Sequence, residues 1–578
     1  MASTRILCAS RILTMNDDQP IATAVAIGPD GRITAVGDLE QCRAALTAAQ
    51  VPETEIEVID LGDDVLLPGF VEAHSHPVLS GLTTQSPAHW IAPYVGYPTW
   101  DDVTTLFREV HSAEPDGHPV IFNGFDRLLH GTDAPTNLVL DEYFPGRPAV
   151  VIDNSGHGVY FSSAMIDRLG WTETVPPDPE GASFGRNADG TSTGQAFELP
   201  ALMVILSAII GEVVTNPLAS AAQFYALMAA NGITSTAELT YDPSQKAAFE
   251  TLATLPHAPL RVTLYHVSTD EACGEDFTSE VSDEMLNKQG IKLWADGSPW
   301  VGNIAITFPY LDTPVTSAAG ITPGEHGLDQ MNYTRAELDA IIDRHAKQGW
   351  QFAFHVNGDA ALDVVLDAYE AGLERNGLAG TDHRWRVEHL GAARADQFPR
   401  AASLGVYASM APFQMQFWGD LLDGQMFDPQ HGAAWCRVKD ATDAGLRPSY
   451  HNDGSVSPPS PLDNIKTCVT RTSQSGTPHG LDQCVTLDQA LRAQTIDAAF
   501  ILGREHLVGS IEVGKLADFV QLDVDPHDVD PMHLSDGISI NGTWLNGERI
   551  DLVEFERAAG VADPTPHLHL ATVPRRCC

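Results

Sequence analysis

The run Val65-Leu66-Leu67-Pro68-Gly69-Phe70-Val71-Glu72-Ala73-His74-Ser75-His76-Pro77 decides how this chain is read. It is an apolar, strand-forming stretch that ends on two histidines. Side chains alternate faces along a strand, so His74 and His76 point the same way. Two imidazoles on one face can hold a single divalent metal. A bare His-x-His pair arises by chance in many proteins. The Leu-Pro-Gly-Phe entry adds specificity, because it describes a strand that enters a core and delivers both rings at its carboxyl end.

Outward from this strand, residues 66–503 alternate apolar strand-like runs with helical stretches. The runs are 120–122, 149–152, 261–265, 291–294, 351–355, 384–388 and 405–409; the helical patches are 220–230, 334–348, 360–377 and 487–501. Alternation on this scale predicts parallel strands with crossover helices, in a barrel or a doubly wound sheet. No GxGxxG stands at a strand exit and there is no P-loop, so a nucleotide site gains little support. Residues 90–230 alternate too little for their length and read as a large insertion over the site. The two ends of the chain are β-rich, at 5–15, 22–27 and 32–36 and again at 518–523 and 538–549. Asn546-Gly547 is a hairpin signal there. One small β domain built from both termini follows, with expected boundaries 1–65 and 507–556, a barrel at 66–506 and a tail at 557–578.

Composition narrows the function classes. A chain of 578 residues with 43% hydrophobic and 19% charged residues fits a large soluble globular protein. Seventy-seven acidic against 33 basic residues leave a net charge of −44, which argues against nucleic acid and anionic membrane as partners. No window reaches the roughly 18 apolar residues of a membrane span. The nearest, 199–214, is broken by Pro200, Ser207 and Glu212, and reads as a buried or partner-facing helix that would serve a homodimer. Residues 1–13 lack a long apolar h-region, so no secretory signal is expected. The eight cysteines are scattered, with no Cys-x-x-Cys, and Cys577-Cys578 reads as a tail feature. Such spacing suits reduced thiols and a cytoplasmic location.

Several later runs end on a residue that can serve a metal. Lys292 lies inside Ile291-Lys292-Leu293-Trp294-Ala295-Asp296-Gly297; His355 follows Phe352-Ala353-Phe354; His389 follows Arg386-Val387-Glu388; Asp453 closes Ser449-Tyr450-His451-Asn452-Asp453. Each has an ordinary reading by itself. His355 or His389 alone would be a structural histidine, Asp453 a turn or cap residue, and Lys292 a snorkelling strand residue. All strand C-termini of a (β/α)₈ barrel open on one face. His74, His76, Lys292, His355, His389 and Asp453 would then surround one mouth, and their joint placement favours a metal site.

With these motifs in this order, the chain resembles the amidohydrolase superfamily, within it the YtcJ-like branch that includes N-substituted formamide deformylases. Two further stretches match: Gly509-Ser510-Ile511-Glu512-Val513-Gly514-Lys515-Leu516-Ala517-Asp518, and Ser155-Gly156-His157 in the insertion. The likeness covers about residues 5–550. It implies a (β/α)₈ barrel with a composite β-sandwich and one or two divalent ions, usually zinc. By position, His74, His76 and Asp453 would hold the first ion and His355 and His389 a second, with Lys292 bridging both if carbamylated. A lysine ammonium cannot ligate a cation, whereas its carbamate presents anionic oxygens; without it only a mononuclear site is plausible.

In that scheme a metal lowers the pKa of water toward about 7 and polarises the scissile carbonyl. Asp453 would take the water proton and pass it to the leaving nitrogen. His157 would orient substrate or stabilise the oxyanion. Asp296 and Asp359, just beyond their strands, would contact substrate or hold turns and ligands in place. Ala411 stands where relatives often carry Gln, leaving a more apolar wall with Phe413, Phe417 and Trp418 beside it. Trp294, Trp300, Phe308 and Tyr310 flank the lysine strand, and such a mouth suits an apolar or aromatic substituent. Asp296, Trp294, Trp300, Phe413 and His157 are the candidate substrate contacts. The leading expectation is hydrolysis of a small C–N amide such as an N-substituted formamide. A deaminase, an ester, lactone or carbamate hydrolase, and a metal-less homologue that keeps the barrel are the alternatives.

Overall fold

In the computed structural model, residues 4–179 and 182–564 are described. Cys577, Cys578 and the rest of 565–578 lie outside them. Eight parallel strands form the centre: β1 (Phe70–Ser75), β2 (Ile233–Tyr241), β3 (Arg261–Val267), β4 (Leu286–Trp294), β5 (Gln351–Val356), β6 (Arg386–His389), β7 (Tyr407–Met410) and β8 (Ser449–Tyr450). They hydrogen-bond in chain order, and β8 lies beside β1, nearly closing the barrel. Between β1 and the turn after β8, His76 N donates to Gly454 O at 3.2 Å. The Glu72 carboxylate accepts from the Asn452 amide side chain at 3.0 Å and from its backbone N–H.

Every residue of β1 is buried, because helices cover one face of the strand and barrel side chains fill the other. Val71 and Ala73 join a core with Ala498, Ala499 and Leu502 from the far end of the barrel. The apolar runs at 261–265, 291–294, 351–355, 384–388 and 405–409 fall on β3 to β7. Neither β2, Ile-Thr-Ser-Thr-Ala-Glu-Leu-Thr-Tyr, nor β8 stands out as an apolar run: one is rich in hydroxyls and the other has two residues. Crossover helices begin and end where local chemistry dictates. Thr334 and Glu337 form a capping box for Arg335–His345, and Gly377, at φ 70°, ends Asp359–Asn376.

The insertion between β1 and β2 carries its own sheet of six strands between His89 and Phe197, with its own apolar cores. It is shorter than the 90–230 expected. The helix Pro217–Ala230 belongs to the barrel, packing Ala221, Ala222 and Phe224 into the main core. Its approach to the helix Pro77–Thr84 needs Gly81, where a Cβ would meet Ala221 Cα at 2.5 Å. The apolar stretch at 199–214 is two short helices, Leu199–Ser207 and Ile210–Val213, rather than one.

Strands from both ends of the chain form a single hydrogen-bonded sheet of eight, in which Val65–Pro68 pairs with Phe519–Leu522 and with Thr4–Leu13. Leu7, Ile12, Val25, Leu66, Phe519 and Trp544 make its core. Asn546 and Gly547 turn the last hairpin with φ of 53° and 74°, the left-handed pair that a two-residue hairpin requires. Arg261 of β3 ties this sheet to the barrel: its guanidinium donates to both Asp518 oxygens, at 2.6 and 2.9 Å, with both side chains buried.

Candidate metal centre

The alternation of β1 puts both histidine rings into the barrel mouth, and each ring is locked from behind by a carboxylate. His74 Nδ1 lies 2.7 Å from Glu388 Oε2, which leaves Nε2 toward the mouth. His76 Nδ1 lies 3.2 Å from Glu238 Oε1 and 3.1 Å from Thr240 Oγ1, which again frees Nε2. Both Nε2 atoms stand 3.3 Å from Asp453 Oδ1. A carboxylate behind each imidazole fixes its tautomer and raises its basicity, as metal-ligating histidines require. Glu388 is completely buried and takes two bonds from Arg386. Burial opposes its ionisation, but Arg386 and His74 hold it well below the usual carboxylate range.

The donor atoms of His74, His76 and Asp453 lie within 4.8 Å of one another, and so do those of His74, His389 and His451. His389 is swung inward by two successive left-handed residues, with φ of 69° at His389 and 56° at Leu390, and its Nδ1 stands 3.8 Å from Asp453 Oδ2. Asp453 is itself left-handed at φ 52°. Such conformations cost about 1–3 kcal/mol each and gather where a site over-determines them. His355 is beside this group rather than in it. Its ring centroid is 4.4 Å from that of His389, and its Nε2 is 2.8 Å from Gly297 O, so Nδ1 is the nitrogen left for a ligand. Lys292 is buried, with Nζ 3.3 Å from His74 Nε2 and 5.5 Å from the Trp294 ring; burial brings its ammonium down to about 8.

Whether these residues suit a divalent ion can be tested on the structure. His451, just past the end of β8, stacks on His74 at 4.7 Å. Among the described residues neither of its ring nitrogens has a hydrogen-bond partner, nor has His389 Nε2. Leaving such buried groups unpaired costs about 1–3 kcal/mol each, which an ion or its bound groups would relieve. Burial also holds His355, His389 and His451 well below the ordinary imidazole range, hence neutral, as ligation demands. Burial opposes ionisation of Asp453, yet the surrounding histidines pull it well below the usual carboxylate range. His76 differs: burial opposes its protonation, yet Asp453 and Glu238 push its pKa up to about 9, so an ion would have to displace that proton. Imidazoles with one carboxylate are a donor set that fits a divalent ion.

The remaining candidates divide by position. His157, on the insertion, reaches over the mouth with its ring 5.5 Å from His355; Nδ1 is 2.8 Å from Glu198 Oε2. Burial works against its protonation, but Glu198 raises its pKa above the ordinary value. Asp296 is fully buried and accepts the backbone N–H groups of Ala305, Asn357 and Gly358 at 3.2, 2.9 and 2.7 Å. It staples the loop after β4 to the exit of β5. Asp359 does the same for Thr307 and Arg394, at 2.8 and 2.7 Å. The staple needs Gly358, where a Cβ would sit 1.9 Å from Ala305 O.

Trp300 and Trp418 stack at 4.3 Å, and Phe413 bridges Trp418 and His451 with centroids 6.3 and 6.0 Å away. Trp300 and Phe413 are buried, whereas Trp294 keeps partial exposure. Tyr94 of the insertion stacks on Phe417 at 4.1 Å, so insertion and barrel share this aromatic wall. Reading the sequence for chemistry passed over Glu238, Glu388, His451 and Glu198. Arg386 and Glu388 share a strand face, and that period was the available signal for Glu388; His451 lies past the end of β8, in a stretch read only for Asp453. No local signal marks Glu198 or Glu238.

Comparison with known proteins agrees with this architecture. The profile described as the amidohydrolase family matches residues 57–551. N-substituted formamide deformylase of Arthrobacter pascens is 26% identical over 95% of this chain and 97% of its own. The putative amidohydrolase YtcJ of Bacillus subtilis (strain 168) is 26% identical over 93% of this chain and 97% of its own. The structure of an uncharacterized metal-dependent hydrolase from Pyrococcus horikoshii OT3 superposes with a TM-score of 0.67 at 20% identity, covering 92% of this chain and 99% of that one. A family match spanning the barrel, the insertion and the later strands of the two-ended sheet, on a histidine-lined mouth suited to a divalent ion, places this chain in the amidohydrolase family, in its YtcJ-like branch, as a metal-dependent hydrolase of C–N bonds.

Proposed function

We propose that this enzyme hydrolyses the C–N amide bond of a small substrate bearing an apolar or aromatic substituent, of the N-substituted formamide class. The observation that carries the reading is the convergence of His74, His76 and Asp453, with Phe413 linking the neighbouring His451 to the Trp300–Trp418 stack. His74, His76 and Asp453 would hold one ion, with His389 and His355 available to a second if Lys292 is carbamylated; zinc suits the donor set. When bound, the ion supplies Lewis acidity toward water and the substrate carbonyl.

The protein's own groups do the rest. Asp453 starts ionised, so it accepts a proton from the attacking water as the oxygen–carbon bond forms. It returns that proton to the leaving nitrogen as the carbon–nitrogen bond breaks, giving carboxylate and amine. His157 Nε2 makes no hydrogen bond among the described residues; burial opposes a doubly protonated ring but Glu198 favours it, and its Nε2–H would then donate to the negative charge developing on the carbonyl oxygen. Trp294, Trp300 and Phe413 line the side that takes the substituent. The buried staple of Asp296 supports the site without touching substrate. The chain's acidity and scattered thiols suit a small-molecule enzyme of the cytoplasm. Met203 and Val204, 44% and 40% exposed on Leu199–Ser207, offer an apolar contact to a second copy.

A product screen tests this reading. Zinc-loaded protein is offered alkyl and aryl formamides, other amides, esters, lactones and amino-heterocycles, with amine, formate, ammonia and alcohol each measured. Amine with formate is expected. Ammonia from a heterocycle would make it a deaminase, and alcohol an esterase. Purified protein that holds no ion and gains no activity with zinc would overturn the hydrolase mechanism.

A further inference from the structure

Glu198 occupies a backbone conformation that its residue type disfavours. It precedes the helix Leu199–Ser207 with φ 72° and ψ 155°, a region that is close to glycine-only. The side chain is used twice. Oε2 faces His157 Nδ1 at 2.8 Å, and Oε1 accepts from the Asn303 side-chain amide. Glu198 N also donates to His157 O at 3.0 Å, so the two residues are joined by backbone and side chain together.

The contact with Asn303 leads to the metal centre. Asn303 Oδ1 accepts from Ser298 N at 2.6 Å, and its carbonyl accepts from Gly297 N at 3.1 Å. Gly297 O, in turn, faces His355 Nε2 at 2.8 Å. A continuous hydrogen-bonded chain therefore runs from His157 through Glu198, Asn303 and Gly297 to His355. It joins the insertion to the loop after β4 and to a ring at the mouth. A glycine would adopt this backbone without strain, so what the position gains from glutamate is its side chain.

We propose that Glu198 is a positioning residue for the reaction. By accepting the Nδ1 proton it holds the His157 ring in one orientation with Nε2 toward the substrate, and registers that ring against His355 through Asn303. The proposal rests on the reading above in which His157 contacts the reacting carbonyl, and two measurements keep the two separable. The first needs no substrate. The Nδ1 proton of a histidine bonded to a carboxylate resonates far downfield in a proton spectrum, and His157→Ala identifies the signal by its loss. That signal should also vanish in Glu198→Ala. Its persistence there would overturn the proposal.

The second is a double-mutant cycle on the best amide found by the product screen. Glu198→Ala should lower kcat about 10- to 100-fold with a smaller change in KM, and Glu198→Gln, which keeps an acceptor, should recover part of that loss. In a His157→Ala background the same Glu198→Ala change should cost no more than about twofold. Equal losses in both backgrounds would show that Glu198 acts elsewhere. Wild-type turnover by His157→Ala would remove His157 from the mechanism instead, while the downfield proton still reports whether Glu198 holds the ring.

Discussion

Asp453 and Glu388 show how differently two buried carboxylates serve one mouth. Asp453 faces His74 and His76 at 3.3 Å and is assigned both ligation and proton transfer. Asp453→Asn keeps the shape and removes the charge, so kcat should fall by at least about 10³-fold while the melting temperature stays near wild type. Unchanged turnover would exclude its role. Glu388 sits one layer behind, sharing its charge between Arg386 and His74. Glu388→Gln should leave Arg386 buried without its counter-charge, costing about 3–5 kcal/mol in chemical denaturation. It should also weaken zinc binding about 10- to 100-fold in a chelator competition, because His74 loses the acceptor that orients it. A variant weakened in stability but not in zinc affinity would make Glu388 purely structural.

At the scale of elements, the insertion's attachment carries a built-in acid weakness. His130 Nδ1 accepts the Asp126 backbone N–H at 3.0 Å while Nε2 bonds Tyr97 O at 3.0 Å, an arrangement that needs a neutral ring. Burial lowers its pKa below the ordinary 6.5. The unfolded chain therefore binds the proton first, so the contribution is whole above about 6.5 and is lost as pH falls toward the depressed folded value. Asp126 also accepts from Trp418 Nε1 at 3.0 Å, which anchors the insertion to the aromatic wall. Hydrogen exchange between pH 7 and 5 should show segments around 89–161 losing protection before the barrel strands. Simultaneous loss across both would place the acid weakness elsewhere. Tyr94 and His157 of the insertion also reach the barrel, one stacked on Phe417 at 4.1 Å and the other 5.5 Å from His355.

For the whole molecule, the buried Arg261–Asp518 pair is the join to test. The Gly509–Asp518 stretch matched its family by sequence, and the structure shows what its last residue does. Both Asp518 oxygens receive Arg261, and Asp518 Oδ1 also accepts from Asn546 N at 2.9 Å. Arg261→Ala would leave a carboxylate buried without its cation, and should cost about 3–5 kcal/mol in urea unfolding. Because the sheet is stitched from both chain ends, that loss should lower the whole unfolding transition rather than split off one part. A separate early transition of the two-ended sheet would contradict this.

Much of the site was legible because a parallel barrel converts sequence position into spatial position. Strand period and strand ends set His74, His76, Lys292, His355, His389 and Asp453 around one mouth, and the family resemblance grouped His74, His76 and Asp453, whose donor atoms the fold brings within 4.8 Å of one another. The β-rich ends and the Asn546-Gly547 turn were equally readable, since hairpin chemistry is local. Other features were not readable, for a common physical reason. What orients a ring is its hydrogen-bond partner, and here the partners are distant in the chain: Glu388 stands 314 residues from His74, and Glu238 stands 162 from His76. Tertiary structure alone also set His355 beside its expected partners, spent Asp296 on backbone N–H groups, and returned the helix Pro217–Ala230 to the barrel. By itself the sequence determined parallel strands with crossover helices and the residue types at the strand ends, because both follow from periodicity, while the family resemblance chose a barrel over a doubly wound sheet. Only the fold decided which nitrogen each histidine presents and which carboxylate stands behind it, because those choices are made by contacts that no local pattern encodes.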